Sequence, residues 1–314
     1  MAATSAGLQT DAQPCADERP PEHDTVDHGV LSEEPIEADY RMDRRRQGLC
    51  IIFVVTNFHT RLSLQPSASR QGAFQRKAEA VKKTSEALGF ECEIVSNPSV
   101  ATVERKLQEW YVQATGHVQG TGSCAPSSLI DLDRKEDLRE SNCFVCWFLT
   151  CRTEDASGTD RIYAQDKPIN LGVLTKPFLG KDCPELIGKP KLFFVEADYV
   201  KKKEEVAQKD AGPGHRRKAA YRIPIFADVF MGLCMAPRPD DALPAGDCPV
   251  DVSDMHFAET FCRVFDAHCI REPANEITTL MAKVAQDVRE ANWPTTAACV
   301  STLIKHLYLT KRSQ

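Results

Sequence analysis

An α/β fold with a mostly parallel sheet and helices on both faces is what this sequence predicts. Three largely apolar runs carry the inference: Leu49 to Asn57, Cys143 to Thr150 and Lys191 to Ala197. Instead of alternating apolar with polar residues, each run is apolar at successive positions, so it reads as a strand buried on both faces, which happens where helices cover both sides of a parallel sheet. Segments with apolar residues at helical spacing stand between these runs, and strands alternating with helices give parallel neighbours.

The elements follow in order. Residues 1–40 are acidic, rich in proline and small polar residues and poor in aromatics, so they bury too little surface to offset ordering entropy and read as a disordered acidic tail. Arg41 to Arg46 is a basic run read as a solvated collar before the first strand. Beyond Leu49 to Asn57, the residues Phe74, Ala78, Val81, Ser85 and Leu88 recur at helical spacing, and Gly89 ends that helix. Phe90 to Val95 is a second strand. Val103, Leu107, Trp110 and Tyr111 mark a second helix, and a Gly/Ser loop spans Thr115 to Ser128. Cys143 to Thr150 and Lys191 to Ala197 are the third and fourth strands. Residues 200–218 carry charge without a hydrophobic face and are broken by Gly212, Pro213 and Gly214, which reads as a linker. Phe226 to Met235 is then a strand, Phe257 to Phe265 and Ile277 to Val288 are helices, and Ala297 to Leu309 is a final strand.

Charge is unevenly distributed. The first 40 residues hold ten acids against Arg19 alone, a balance of -9; since the whole chain carries -6, the remainder carries +3. A nearly neutral body argues against nucleic acid or a membrane as partner. No apolar run approaches the roughly 20 residues of a membrane span, and the amino terminus lacks a basic region followed by an apolar one, so a cytoplasmic location is expected. The 13 cysteines sit mostly in apolar segments, where reduced thiols pack as small hydrophobes. Cys143, Cys146 and Cys151 superficially suggest a metal site, but strand residues three apart point to opposite faces. His256, His268, Cys262 and Cys269 lack paired ligand spacing. No cofactor is expected.

Several stretches carry a resemblance. YRMDRRRQGLC from Tyr40, NFH at Asn57 to His59, SRQG at Ser69 to Gly72, LGFECEI at Leu88 to Ile94, CFVCWFLT at Cys143 to Thr150, IYAQDKPI at Ile162 to Ile169 and GKPKLFFVEA at Gly188 to Ala197 resemble the large subunit of effector caspases. YRIPIFADVF at Tyr221 to Phe230 and CVSTLIKHLY at Cys299 to Tyr308 resemble the small subunit. The resemblance implies the caspase fold, a twisted six-stranded, mostly parallel sheet. It divides the chain into a prodomain (1–40), a large-subunit-like region (41–199), an intersubunit linker (200–218) and a small-subunit-like region (219–314).

Where the family carries its catalytic residues, this sequence departs from the pattern. The family's cysteine lies in Q-A-C-x-G, which here reads Glu196, Ala197, Asp198, Tyr199, Val200; its histidine lies in Ser-His-Gly, which here reads Thr150, Cys151, Arg152. A carboxylate thus stands at the cysteine position and a thiol at the histidine position. A cysteine protease needs a thiolate to attack the carbonyl and an imidazole to carry the proton to the leaving amine. The glycines missing after both positions matter as well, because the family's oxyanion hole uses backbone N–H groups there.

In the specificity pocket, Arg70 matches one of the two arginines that grip a substrate aspartate, and Glu196 replaces the glutamine. The second arginine has no clear counterpart, Arg238 being the nearest stand-in. The expectation is that Glu196 pairs with Arg70 and closes the pocket.

What the resemblance implies is therefore a catalytically deficient caspase homologue, a regulator of apoptosis that binds an active effector caspase as a heterodimer, or itself as a homodimer. Its interface would be the last strand, through Ala298, Val300, Leu303, Ile304 and Leu307. Two rivals stand beside it: an endopeptidase with Cys151 as nucleophile and His59 as base, and a decoy for caspase substrates or inhibitors. Asp39 and Asp210 are candidate processing sites, set against a reading as ordinary solvated charges.

Overall fold

In the computed structural model, the described residues are 37–64, 66, 68–115, 138–154, 160–179, 183–200, 227–236, 257–271, 275–290 and 297–310, without the side chains of 110–115 and 271. The main sheet runs through six strands: β1 (Arg46–Val54), β2 (Phe90–Ser96), β3 (Ser141–Glu154), β6 (Lys191–Tyr199), β7 (Val229–Met235) and β8 (Ala297–Ser301). Their spatial order is β2-β1-β3-β6-β7-β8. All neighbours are parallel except β7 and β8, which run antiparallel. Two short strands, β4 (Asp160–Tyr163) and β5 (Pro168–Ile169), extend the sheet as an antiparallel hairpin beside the end of β3. The expected α/β class and six-strand path are what is found, while the hairpin was absent from the sequence reading because strands of four and two residues leave no periodic signature.

Helices cover both faces. Beneath α1 (Ala68–Ala87), α4 (Phe257–Phe265) and α5 (Ile277–Glu290) lies a core that includes Ile52, Trp147, Phe194, Phe74, Val81, Phe261 and Val284. Beneath α2 (Val100–Thr115) and the short α3 (Leu171–Thr175) lies a second core with Ile51, Phe53, Phe148, Phe193, Val103 and Leu174. Odd-numbered β3 residues enter the first core and even-numbered ones the second, which is why the strand reads as continuously apolar. Cys143 and Cys146 accordingly bury on opposite faces.

Two glycines are dictated by geometry. Gly89 has φ of 92° and terminates α1 as expected, its N–H bonded to the Glu86 carbonyl at 2.9 Å. Gly48 has φ of 143°, and a Cβ there would lie 1.9 Å from the Cys143 carbonyl oxygen, so the close approach of β1 to β3 requires glycine.

Several boundaries shift: β1 runs Arg46–Val54 rather than Leu49 to Asn57, and four other shifts have an identifiable cause. The tail does not extend to residue 40: Tyr40 is buried, its N–H bonds to the His306 carbonyl, and its hydroxyl donates to Asp228 at 2.7 Å while accepting from the Ile304 N–H. The aromatic Tyr40, unlike the tail before it, has surface to bury. β3 runs four residues past Thr150, because Arg152, Thr153 and Glu154 gain β4 as a partner. β7 begins at Val229, the left-handed Asp228 (φ 64°) turning the chain just before it. Finally, β8 ends at Ser301 rather than Leu309. Thr302 closes onto Val229, the chain bends at 304–305, and His306 and Tyr308 make single bridges to Asp39 and Glu276. The tail through residue 36, the 116–128 part of the Gly/Ser loop and linker residues 201–218 lie outside the described residues.

Candidate functional site

The two positions that the resemblance aligns with the family's catalytic residues, Cys151 and Asp198, sit side by side. Parallel pairing of β3 with β6 sets Leu149 opposite Glu196, Thr150 opposite Ala197, Cys151 opposite Asp198 and Arg152 opposite Tyr199. Strand alternation puts Cys151, Glu196 and Asp198 on the face under α1 and α4. Cys151 has no exposed surface and Asp198 only 1%. Burial, reinforced by the Asp198 carboxylate, pushes the Cys151 thiol far above the ordinary thiol range; Arg70 and Lys77 offset this only in part.

The carboxylates are divided between two cations of α1. Lys77 Nζ reaches Glu196 Oε1 at 2.7 Å with both side chains fully buried, and the ammonium also lies 5.3 Å from the Phe74 ring centroid. The other Glu196 oxygen accepts the Ala258 N–H at 2.8 Å, which holds an acceptor against the first turn of α4. Arg70 turns instead to Asp198, 3.8 Å from Nε to Oδ2, and donates from Nη1 to the Tyr199 carbonyl at 2.9 Å. The expected Arg70–Glu196 pair is therefore corrected. Arg70 and Lys77 are seven residues apart on one helical stripe, so each lies over a different inward position of β6. Burial works against the Lys77 ammonium, but the Glu196 and Asp198 carboxylates and the hydrogen bond to Glu196 outweigh it and hold its pKa above the ordinary lysine value.

Arg152 occupies the position after Cys151 and is itself buried. Its Nε donates to the Ala236 carbonyl, its Nη1 pairs with Asp160, and its guanidinium carbon lies 5.3 Å from the Tyr199 ring centroid. Ladder bonding continues past the substituted pair, the Val200 N–H donating to the Arg152 carbonyl at 2.9 Å. His59 sits on an exposed turn with Nδ1 accepting from the Arg61 N–H at 3.4 Å, whereas Cys151 is enclosed. What these groups can do chemically is hold one another: two carboxylates neutralised by two cations around a protonated thiol.

Sequence reasoning missed Lys77. A signal existed, because Lys77 falls on the inward stripe between Phe74 and Val81, where a lysine demands an anionic partner. No group of three or more His, Cys, Asp or Glu side chains among the described residues could hold a metal ion.

The other named positions separate. Ala298 is exposed and Val300 half-buried on β8, the terminal strand of the sheet; Leu303 is half-buried against the core and Ile304 is 70% exposed. Leu307 is 0% exposed and belongs to the core under α5, so it is removed from the candidate interface: the bend at 304–305 turns it inward. Asp39 is exposed, but its segment is bridged to His306. Asp210 and Arg238 lie outside the described residues, as does the whole stretch 237–255.

The comparisons agree with this geometry. The family described as the caspase domain matches residues 119–308, well over half of the chain. Caspase-6 of Gallus gallus is 26% identical over 208 residues, covering 63% of this chain and 58% of that protein. Caspase-3 of Mesocricetus auratus is 29% identical over 213 residues, 68% of this chain and 64% of its own length. The chain thus spans less than two thirds of these curated relatives. Among solved structures, that of pro-Sf-caspase-1 aligns with a TM-score of 0.60 and 20% identity over 88% of this chain and 95% of that one, a likeness of fold. No helix among the described residues is long and apolar enough to cross a membrane. With the sheet order, the flanking helices and the matched domain all in agreement, the chain belongs to the caspase family of cysteine peptidases.

Proposed function

We propose that this chain is a catalytically deficient caspase homologue of the cytoplasm that binds an active effector caspase and alters its activity in apoptosis. The observation carrying this reading is the pair Cys151 and Asp198, adjacent in register and enclosed, with the thiol held protonated beside a carboxylate. Attack on an amide needs a thiolate near neutral pH and a general acid for the leaving amine. A buried thiol beside a carboxylate supplies neither.

The pocket supports the same reading. Arg70, the remnant of the aspartate-binding set, is engaged with Asp198 and the Tyr199 carbonyl, and Glu196, at the family's glutamine position, is buried against Lys77 and the Ala258 N–H. Where Cys151 has no exposed surface, a rearranged endopeptidase has no accessible nucleophile.

Association is assigned to the end of the sheet at β8. A terminal strand presents unpaired backbone groups, and Ala298, Val300 and Ile304 put apolar surface on and just after it. The test uses peptides with aspartate at the cleavage position, incubated with the purified chain alone and with an active effector caspase. Alone, turnover is expected to fall on the order of 10⁶-fold below an active caspase. With the partner, its rate changes and the two co-elute in gel filtration, and Ile304→Asp removes both effects. Turnover by the chain alone at an ordinary caspase rate, lost in Cys151→Ala, would sink the proposal; neither turnover nor co-elution would leave the decoy reading.

A further inference from the structure

We propose that Cys50 and Cys92 form a peroxide-oxidisable dithiol pair that closes to a cross-strand disulfide between β1 and β2. The two residues are direct register partners on neighbouring parallel strands. Such strands lie about 4.8 Å apart, within the roughly 4.4–6.8 Å between α-carbons that a disulfide spans. Both side chains point to the face under α1, where Cys50 belongs to the core and Cys92 packs against it. Cys50 Sγ lies 3.5 Å from Ser85 Oγ and Cys92 Sγ 3.7 Å from the Lys82 carbonyl, so one turn of α1 covers both sulfurs. Burial, reinforced by the neighbouring Cys92 thiol, raises the Cys50 pKa well above the ordinary range.

Their environments divide the chemistry. Cys92 is half-buried on the terminal strand β2, where an oxidant can reach it and the backbone can shift to accept the new bond. Cys50 is fully buried, with Cys92 as its direct register partner. In the first step Cys92 gives up its proton, its thiolate attacks hydrogen peroxide and the O–O bond breaks; Cys92 becomes a sulfenic acid, and the departing hydroxide takes up a proton and leaves as one water. In the second, Cys50 sulfur attacks Cys92 sulfur, the S–O bond breaks, and the departing hydroxide takes the Cys50 proton as a second water. The thiols lose two protons and two electrons between them, and the peroxide is reduced to two waters.

The product would tie the terminal strand to its neighbour and close a loop holding α1, with Arg70 and Lys77 on it. The proposal rests on the register of β1 with β2 and is independent of the regulatory reading above.

The experiment treats the full chain with hydrogen peroxide, alkylates remaining thiols and digests with trypsin without reduction. Peptides 47–61 and 84–105 each carry one of the two cysteines. The expected product is these two peptides linked, with a mass loss of about 2 Da that reductant reverses. In Cys92→Ser the link is absent and Cys50 remains alkylatable after unfolding; in Cys50→Ala, Cys92 persists as a sulfenic acid that dimedone traps. A thermal melt of each variant establishes that it is folded. A stable Cys92 sulfenic acid in the wild-type chain without the link, a link from either residue to another cysteine, or both thiols unchanged while Cys299 oxidises would overturn the proposal.

Discussion

The Lys77–Glu196 pair decides the electrostatics of the site, and it is a buried one. Breaking one side leaves an uncompensated charge in the core, at a cost of about 3–5 kcal/mol. Lys77→Met and Glu196→Gln should each lose stability of that order. The double variant should lie closer to wild type than either, because glutamine can still accept the Ala258 N–H. Urea denaturation of the four proteins measures this, and additive losses would refute it. The pH dependence follows from the same group. The folded pKa of Lys77 is raised, so its contribution is complete below the unfolded value near 10.4 and is lost as pH rises through the folded value. The difference in stability between wild type and Lys77→Met should therefore stay constant from about pH 7 to 10 and shrink above it.

Between elements, the register of β3 with β6 sets which residues meet. It makes Cys151 and Asp198 neighbours, and it carries Arg152 and Tyr199 into the next rung, where the family pattern has a glycine after the histidine position. Restoring the family's two residues therefore does not restore its site. Cys151→His puts a larger ring into a fully enclosed position and should cost about 1–3 kcal/mol by thermal denaturation. Combined with Asp198→Cys, it should still hydrolyse no aspartyl peptide above background, because buried Arg152 and the Lys77–Glu196 pair remain in place. Measurable hydrolysis by the double variant would show that the surrounding substitutions are incidental. The helices α4 and α5 and the long strands were legible because their apolar residues recur over many positions. The β4–β5 hairpin was not, and neither was the true end of β8, since a bend after Ser301 leaves the apolar pattern of Leu303, Ile304 and Leu307 intact while reversing which of them faces inward.

At the scale of the molecule, the amino-terminal approach to the sheet and the carboxy-terminal segment hold each other. Tyr40 bridges Asp228 and the Ile304 N–H, Asp39 pairs with His306, and Lys305 lies 3.2 Å from Glu37. Asp39, a candidate processing site because the family's prodomains and linkers are cut at aspartates, therefore lies in a paired segment, and a protease that binds its substrate extended would have to release that pairing first.

What the residues by themselves determined was the α/β class and the long strands and helices, which follow from local pattern. The carboxylate and thiol at the catalytic positions are what the resemblance to caspases implies. Tertiary structure alone decided that Lys77 rather than Arg70 neutralises Glu196, that Leu307 is core while Ile304 is surface, and that Cys50 faces Cys92. The physical reason is that partners 42 to 119 positions apart are chosen by helix placement and strand register, and neither leaves a periodic trace in the chain that must satisfy them.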